Sequence, residues 1–204
     1  MKKVILSAFA LLAITFANAQ DNGAKSFGFS EGDILVEGNL GFGSTNDKNS
    51  EVKTNSFSIT PKVAYFLTDK FAVGAQLGYA SSKKEVSGVD TEKGSDFNVG
   101  VFGRYYFLDL GQRFKTYADA GIDFVSGKDD INDLKANGVG AGVGLGINYF
   151  VTERIVLNFA LRNIISYSSA KIDGGESVSS FGFDLNGNVK NPFAAASFGV
   201  GYKF

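Results

Sequence analysis

The sequence predicts an all-β fold, an eight-stranded antiparallel up-and-down barrel that crosses a membrane. Three observations predict it. Apolar residues recur at every second position in eight stretches, the mark of strands with one apolar face. The connections between those stretches alternate strictly between short and long. The apolar faces are also too bulky to converge inside a barrel of this strand number.

Taken in order, the stretches are approximately 33–43, 56–66, 70–80, 96–107, 114–126, 137–150, 154–166 and 193–204. Each is close to the length that a strand tilted by roughly 40° needs to cross a hydrocarbon layer. In the third, Phe71, Val73, Ala75, Leu77 and Tyr79 alternate with Ala72, Gly74, Gln76 and Gly78. In the fifth, Phe114, Thr116, Ala118, Ala120, Ile122 and Phe124 alternate with Lys115, Tyr117, Asp119, Gly121 and Asp123. The sixth is the clearest: Val139 to Tyr149 carries Val, Ala, Val, Leu, Ile and Tyr on one face, and Gly138 to Asn148 carries glycines and one Asn on the other. The eighth ends the chain on Phe198, Val200, Tyr202 and Phe204, with Ser, Gly, Gly and Lys between them.

Short connections are expected at 67–69, 108–113 and 151–153, and long polar ones at 44–55, 81–95, 127–136 and 167–192. The last long one holds Phe181, Phe183 and Leu185 before the turn signal Asn186–Asn188, so its flanking strands are expected to continue beyond the membrane.

Volume decides which face is outside. The interior of an eight-stranded barrel is just wide enough for side chains to fill, and roughly 40 bulky apolar residues do not fit there. The small and polar face fits. The bulky set must face outward, where only lipid tolerates such a coat.

The N-terminus supplies the compartment. A basic Met1-Lys2-Lys3 precedes the apolar run Val4–Phe16 and the small-x-small pattern Ala17-Asn18-Ala19. That run is too short for a membrane helix and reads as a cleaved secretory signal, residues 1–19, followed by one barrel domain, 20–204. The chain has no cysteine, so neither disulfides nor thiolate metal sites are expected. A net charge of −1 with both signs dispersed argues against a nucleic-acid partner.

These residues resemble the small outer-membrane β-barrels, the group that includes OmpX-type proteins and the membrane domain of OmpA. The likeness rests on the signal peptide, the eight alternating strands, the terminal "GVGYKF" and the hairpin "YFLTDKFAVGAQLGY" (Tyr65 to Tyr79). It implies an outer-membrane location, with short periplasmic turns and long extracellular loops. It also implies contact with outer-membrane lipid and recognition of the C-terminal strand (Phe198, Val200, Tyr202, Phe204) by the barrel-assembly machinery. A surface partner for the loops is expected. The chain departs from the group in having no Trp, so any aromatic girdle must be built from Phe and Tyr. The peptidoglycan-binding domain of longer relatives is not expected.

By parity the inward charges are Glu37, Lys62, Arg104, Asp119, Asp123 and Arg162, with Lys115 and Lys203 near the short-turn rim. A confined lumen favours paired, hydrogen-bonded charges over isolated ones. Symmetric hairpins place Glu37 opposite Lys62 and Arg104 diagonal to Asp119. Phe66, Phe102, Tyr106, Tyr117 and Phe150 also point inward and narrow the bore. The expected role is therefore structural, or interaction through the loops. The alternative is a narrow conduit for small or hydrophobic solutes, and a more distant one is a soluble ligand-binding barrel.

Catalysis is not expected. Hydrolases on such barrels use histidine as general base, and the chain has none. The glycines of 138–146 do not match a phosphate-binding spacing, since Val, Leu or Ile stands where its last glycine belongs. The loop acids Asp129, Asp130 and Asp133, and those from Asp173 to Glu176, fit no EF-hand. No cofactor or metal is expected.

Overall fold

The computed structural model describes residues 27–183 and 196–204. The expected signal segment lies outside the described residues, as do Leu185 and the 186–188 turn. The strands are β1 (Ile34–Asp47), β2 (Val52–Phe66), β3 (Phe71–Val86), β4 (Val89–Leu110), β5 (Phe114–Asp129), β6 (Leu134–Phe150), β7 (Ile155–Ile172), β8 (Ser177–Phe183) and β9 (Ala196–Lys203). Each pairs antiparallel with its neighbour, and β1 pairs with β9 from Leu35↔Lys203 to Asn39↔Gly199, which closes a ring.

The ring has eight positions, because β8 and β9 share the last one. β9 runs beside β7 from Ile155 to Leu161, and β8 runs beside it from Ile165 to Lys171. Between them β7 bulges: Val143 and Leu145 of β6, two apart, pair with Ile165 and Leu161, four apart. Asn163 takes a left-handed backbone here, with φ at 56°. An even insertion keeps the inside–outside alternation in phase beyond it.

Two of the three short turns, β2–β3 and β6–β7, are built alike. Thr68 Oγ1 accepts from the amides of Lys70 and Phe71, and Thr152 Oγ1 from those of Arg154 and Ile155. A threonine hydroxyl thus replaces water for amides that the tight turn strands.

In the last long connection the flanking strand does continue, β7 pairing with β8 out to Lys171↔Ser177. The first three long connections differ from the expected loops. They continue as ladder almost to their tips: β3 and β4 pair out to Val86↔Val89, joined only by Ser87-Gly88. Both of those residues have positive φ, 50° and 80°, the two-residue hairpin geometry that matches strand twist. Polar outer residues hide this in sequence, since a ribbon standing in water needs no apolar face. The fourth strand accordingly starts at Val89 rather than near 96.

On the outside, bulky residues are open to their surroundings, among them Leu77, Phe97, Phe124, Val139 and Leu145. Two members of the expected outer faces differ. Tyr202 is only 7% exposed, while Phe198, Val200 and Phe204 are 49–58% exposed. The Phe204 ring packs edge-on against Tyr202 at 4.7 Å, and Arg154 reaches its hydroxyl. Thr116 is buried because β4 bulges at Phe107, and its hydroxyl donates to the Leu108 carbonyl at 2.6 Å.

Candidate functional site: the polar lumen

Three layers fill the bore. The layer at the short-turn end begins with a segment that precedes β1. Phe29 folds back under the barrel and stacks on Phe66 with centroids 4.1 Å apart and planes 14° apart. Tyr106 and Phe150 lie 4.9 and 5.1 Å from it. The Asp33 carbonyl and the Gly32 amide bond the two backbone groups of Phe66, which fixes the segment's entry. Lys203 reaches the Gly28 carbonyl at 2.9 Å and Asp33 at 3.5 Å, and Lys115 pairs with Asp109 at 2.7 Å. The sequence reading missed Phe29, since a single aromatic before the first strand has no periodicity to reveal it.

The middle layer is ionic. Arg104 on β4 crosses the bore to Glu37 on β1, donating from both terminal nitrogens at 3.1 and 2.8 Å. Both side chains are sealed, at 1% and 2% exposure. This corrects the expected pairing. Glu37 does lie beside Lys62 in the ladder, yet its carboxylate turns to the guanidinium, whose planar fork matches two oxygens. Arg104 also stands directly opposite Asp119, not diagonal to it, at 3.5 Å. The shift comes from a shorter turn, which closes at Leu110↔Phe114, combined with the one-residue bulge at Phe107. The guanidinium lies over the Tyr117 ring at 4.0 Å, and the Tyr117 hydroxyl accepts from Asn158 at 2.6 Å. Lys62 has no ion pair among the described residues; its ammonium sits 5.0 Å from the Phe102 ring centroid.

The glycine face of β6 explains itself here. A Cβ at Gly146 would meet the Tyr117 ring, and one at Gly144 would stand 2.7 Å from Asp119 Oδ1. The glycines make room for large residues on the adjacent strand, beyond the cross-bore role their spacing suggests.

The third layer is open and polar. A cavity of about 380 Å³ is lined by Lys62, Gln76, Asn98, Asp119, Asp123 and Arg162. Asp123 accepts from Gln76 at 2.5 Å and Asn98 at 3.4 Å, and Arg162 donates to Ser197 at 3.1 Å. Thus Glu37, Arg104 and Asp119 form one connected cluster, while Asp123 and Arg162 hold separate neutral partners. Among the described residues no group of acids is arranged to hold a metal ion. At the tips, Asp129 instead caps its own turn, accepting from the Ile131 and Asn132 amides.

Comparison with known proteins follows from this architecture. Residues 7–204 match the sequence model of the outer membrane protein beta-barrel domain. The chain belongs to that family. Its barrel is therefore an outer-membrane barrel, and the coat of Phe, Leu and Val is its lipid face. An uncharacterized outer-membrane protein y4mB of Sinorhizobium fredii is 34% identical over 130 residues, which span 58% of this chain and 56% of that protein. The crystal structure of OprG from Pseudomonas aeruginosa superposes with a TM-score of 0.53 at 16% identity, over 87% of this chain and 98% of OprG. Neisserial surface protein A gives 0.48 at 18% identity, over 86% and 98%. OprG shares the fold.

Proposed function

We propose that this outer-membrane barrel serves a structural and surface-presenting role, with a lumen closed to solutes and hairpins that meet partners outside the cell. The observation that carries this reading is the stacking of Phe29 on Phe66, beside Tyr106 and Phe150, directly below the Glu37–Arg104 pair. A solute passing the bore would have to part both layers at once. Parting the ion pair alone would strand two buried charges. The four long hairpins offer paired, rigid ribbon for contact. Nothing in this reading calls for catalysis.

The second reading, a conduit, draws support from the polar cavity on the long-hairpin side and from the Lys62 ammonium that lines it, which has no ion pair among the described residues. Conductance in planar bilayers separates the two. The closed barrel is silent; a stable single-channel current that falls with increasing polymer size in the bath would establish the conduit instead.

A further inference from the structure

The outward face of the barrel carries one ordered feature that neither reading uses. Six strands, β2 to β7, each place a lysine outward near the long-hairpin rim: Lys53, Lys83, Lys93, Lys128, Lys135 and Lys171. On every one of these strands the residue four positions toward the membrane is a bulky apolar one: Phe57, Tyr79, Phe97, Phe124, Val139 and Tyr167. The outward residue between the two is Ser or Asn in all six cases. The order from hydrocarbon to water is therefore apolar, small polar, lysine, repeated strand after strand.

That spacing sets a height. Four residues of a strand tilted by about 40° rise about 10 Å above the apolar girdle. The lysine stem runs back along the wall, which brings the ammonium down toward the level where lipid headgroups begin. No acid occupies an outward strand position between the girdle and the lysines. The short-turn rim differs, with Asp69, Lys70, Asp109, Arg113, Glu153 and Arg154 of both signs.

Neighbouring lysines are also set against each other. Lys83 lies directly across from Lys93, and Lys128 from Lys135. Like charges in that position repel. Hairpin-tip acids relieve part of it: Glu85 and Asp90 contact Lys83, and Asp130 and Asp133 contact Lys128. Lys53 has Glu85 beside it in the ladder, but that carboxylate is turned to Lys83. Lys53, Lys93, Lys135 and Lys171 hold no ion pair among the described residues. A row of exposed, mutually repelling cations at headgroup height is complementary to a layer of anionic phosphates.

We propose that this lysine collar binds the phosphate headgroups of the lipid leaflet around the long-hairpin rim, and so fixes the barrel's depth and orientation in the membrane. The chemistry is ammonium to the phosphate oxygens of a net-anionic headgroup, one that carries no cation of its own, with the lipid as source.

The test uses the folded full-length mature chain in nanodiscs of mixed phosphatidylglycerol and phosphatidylcholine, with retained lipid counted by native mass spectrometry. Phosphatidylglycerol should be retained over phosphatidylcholine by about tenfold, a preference that falls as salt rises. Replacing Lys53, Lys93, Lys135 and Lys171 together by Gln should abolish most of the preference, whereas replacing them by Arg should keep it. Heat-modifiable gel migration checks that each variant is folded. Three results overturn the proposal: no preference in the native chain, a preference indifferent to salt, or an undiminished preference in the folded Gln variant. Displacement of the lipid by millimolar inorganic phosphate would overturn the lipid as the source.

Discussion

Arg104 and Glu37 meet across the bore through two hydrogen bonds, although 67 residues and two intervening strands separate them. Their pairing holds β1 to the far wall. A buried pair of this kind is weak evidence for net stability, but breaking it leaves one charge sealed without its counter-ion. Arg104→Met should destabilise the barrel by about 3 kcal/mol in denaturant unfolding from lipid vesicles, tempered by Lys62 beside Glu37. Adding Glu37→Leu to it should recover much of the loss. Additive effects of the two changes would refute the coupling.

Phe29 is held between rings rather than by the ladder, so its removal opens space that the sheet cannot refill. Phe29→Ala should cost about 3 kcal/mol in the same unfolding measurement. If the short-turn layer is what silences the bore, this variant should also show brief current steps in planar bilayers, absent in the native chain.

Gly146 and Gly38 make a controlled pair. A methyl at Gly146 would run into the buried Tyr117 ring, whereas one at Gly38 meets nothing within 4 Å. Gly146→Ala should therefore lose about 1–3 kcal/mol, and Gly38→Ala should stay within about 0.5 kcal/mol of the native chain. Equal losses would show that glycine's backbone freedom, rather than the packing, is what matters on β6.

Asp47 ends β1 by capping its own turn: the Ser50 hydroxyl donates to it at 2.7 Å and the Asn49 amide at 2.8 Å. These bonds, the Ser50 hydroxyl foremost, hold its carboxyl below the ordinary value of 3.8. A carboxyl depressed on folding stabilises above its unfolded value, and that support is lost as pH falls through the lower folded one. Amide exchange at Asn49, corrected for intrinsic rates, should accelerate as pH drops below about 3.8. Asp47→Asn should flatten that response, and an unchanged profile would count against the cap.

Phe204 closes the ring physically, since its amide donates to the Ile34 carbonyl at 2.9 Å and its ring covers Tyr202. Deleting it should impair insertion into the outer membrane while leaving export intact, measured by fractionation and heat-modifiable migration. Normal assembly of the shortened chain would argue that the terminal aromatic is not what the assembly machinery reads.

What the sequence determined by itself is local and periodic. The alternation from Val139 to Tyr149 placed β6, and volume alone turned its apolar face toward lipid. Parity likewise put Arg104, Asp119, Phe66 and Tyr117 inside, because side chains on a strand can only alternate. What parity cannot reach is which inward residue meets which. Glu37 looked to its ladder neighbour Lys62, but its partner is decided by how the closed, tilted ring brings β1 to face β4. A turn shortened to close at Leu110↔Phe114 and one extra residue at Phe107 together set Asp119 directly opposite Arg104. The bulge buried Thr116, and a bulge leaves no mark on hydrophobic spacing. Phe29 and the buried Tyr202 belong to the same class. Phe29 meets Phe66, Tyr106 and Phe150, and Tyr202 meets Arg154, contacts between separate segments that only the closed rim brings together. Only the last hairpin ribbon was announced, by Phe181 and Phe183 in its long connection. The first three escaped notice for a different reason: strands standing in water have no apolar face to announce them, and only backbone pairing reveals their length.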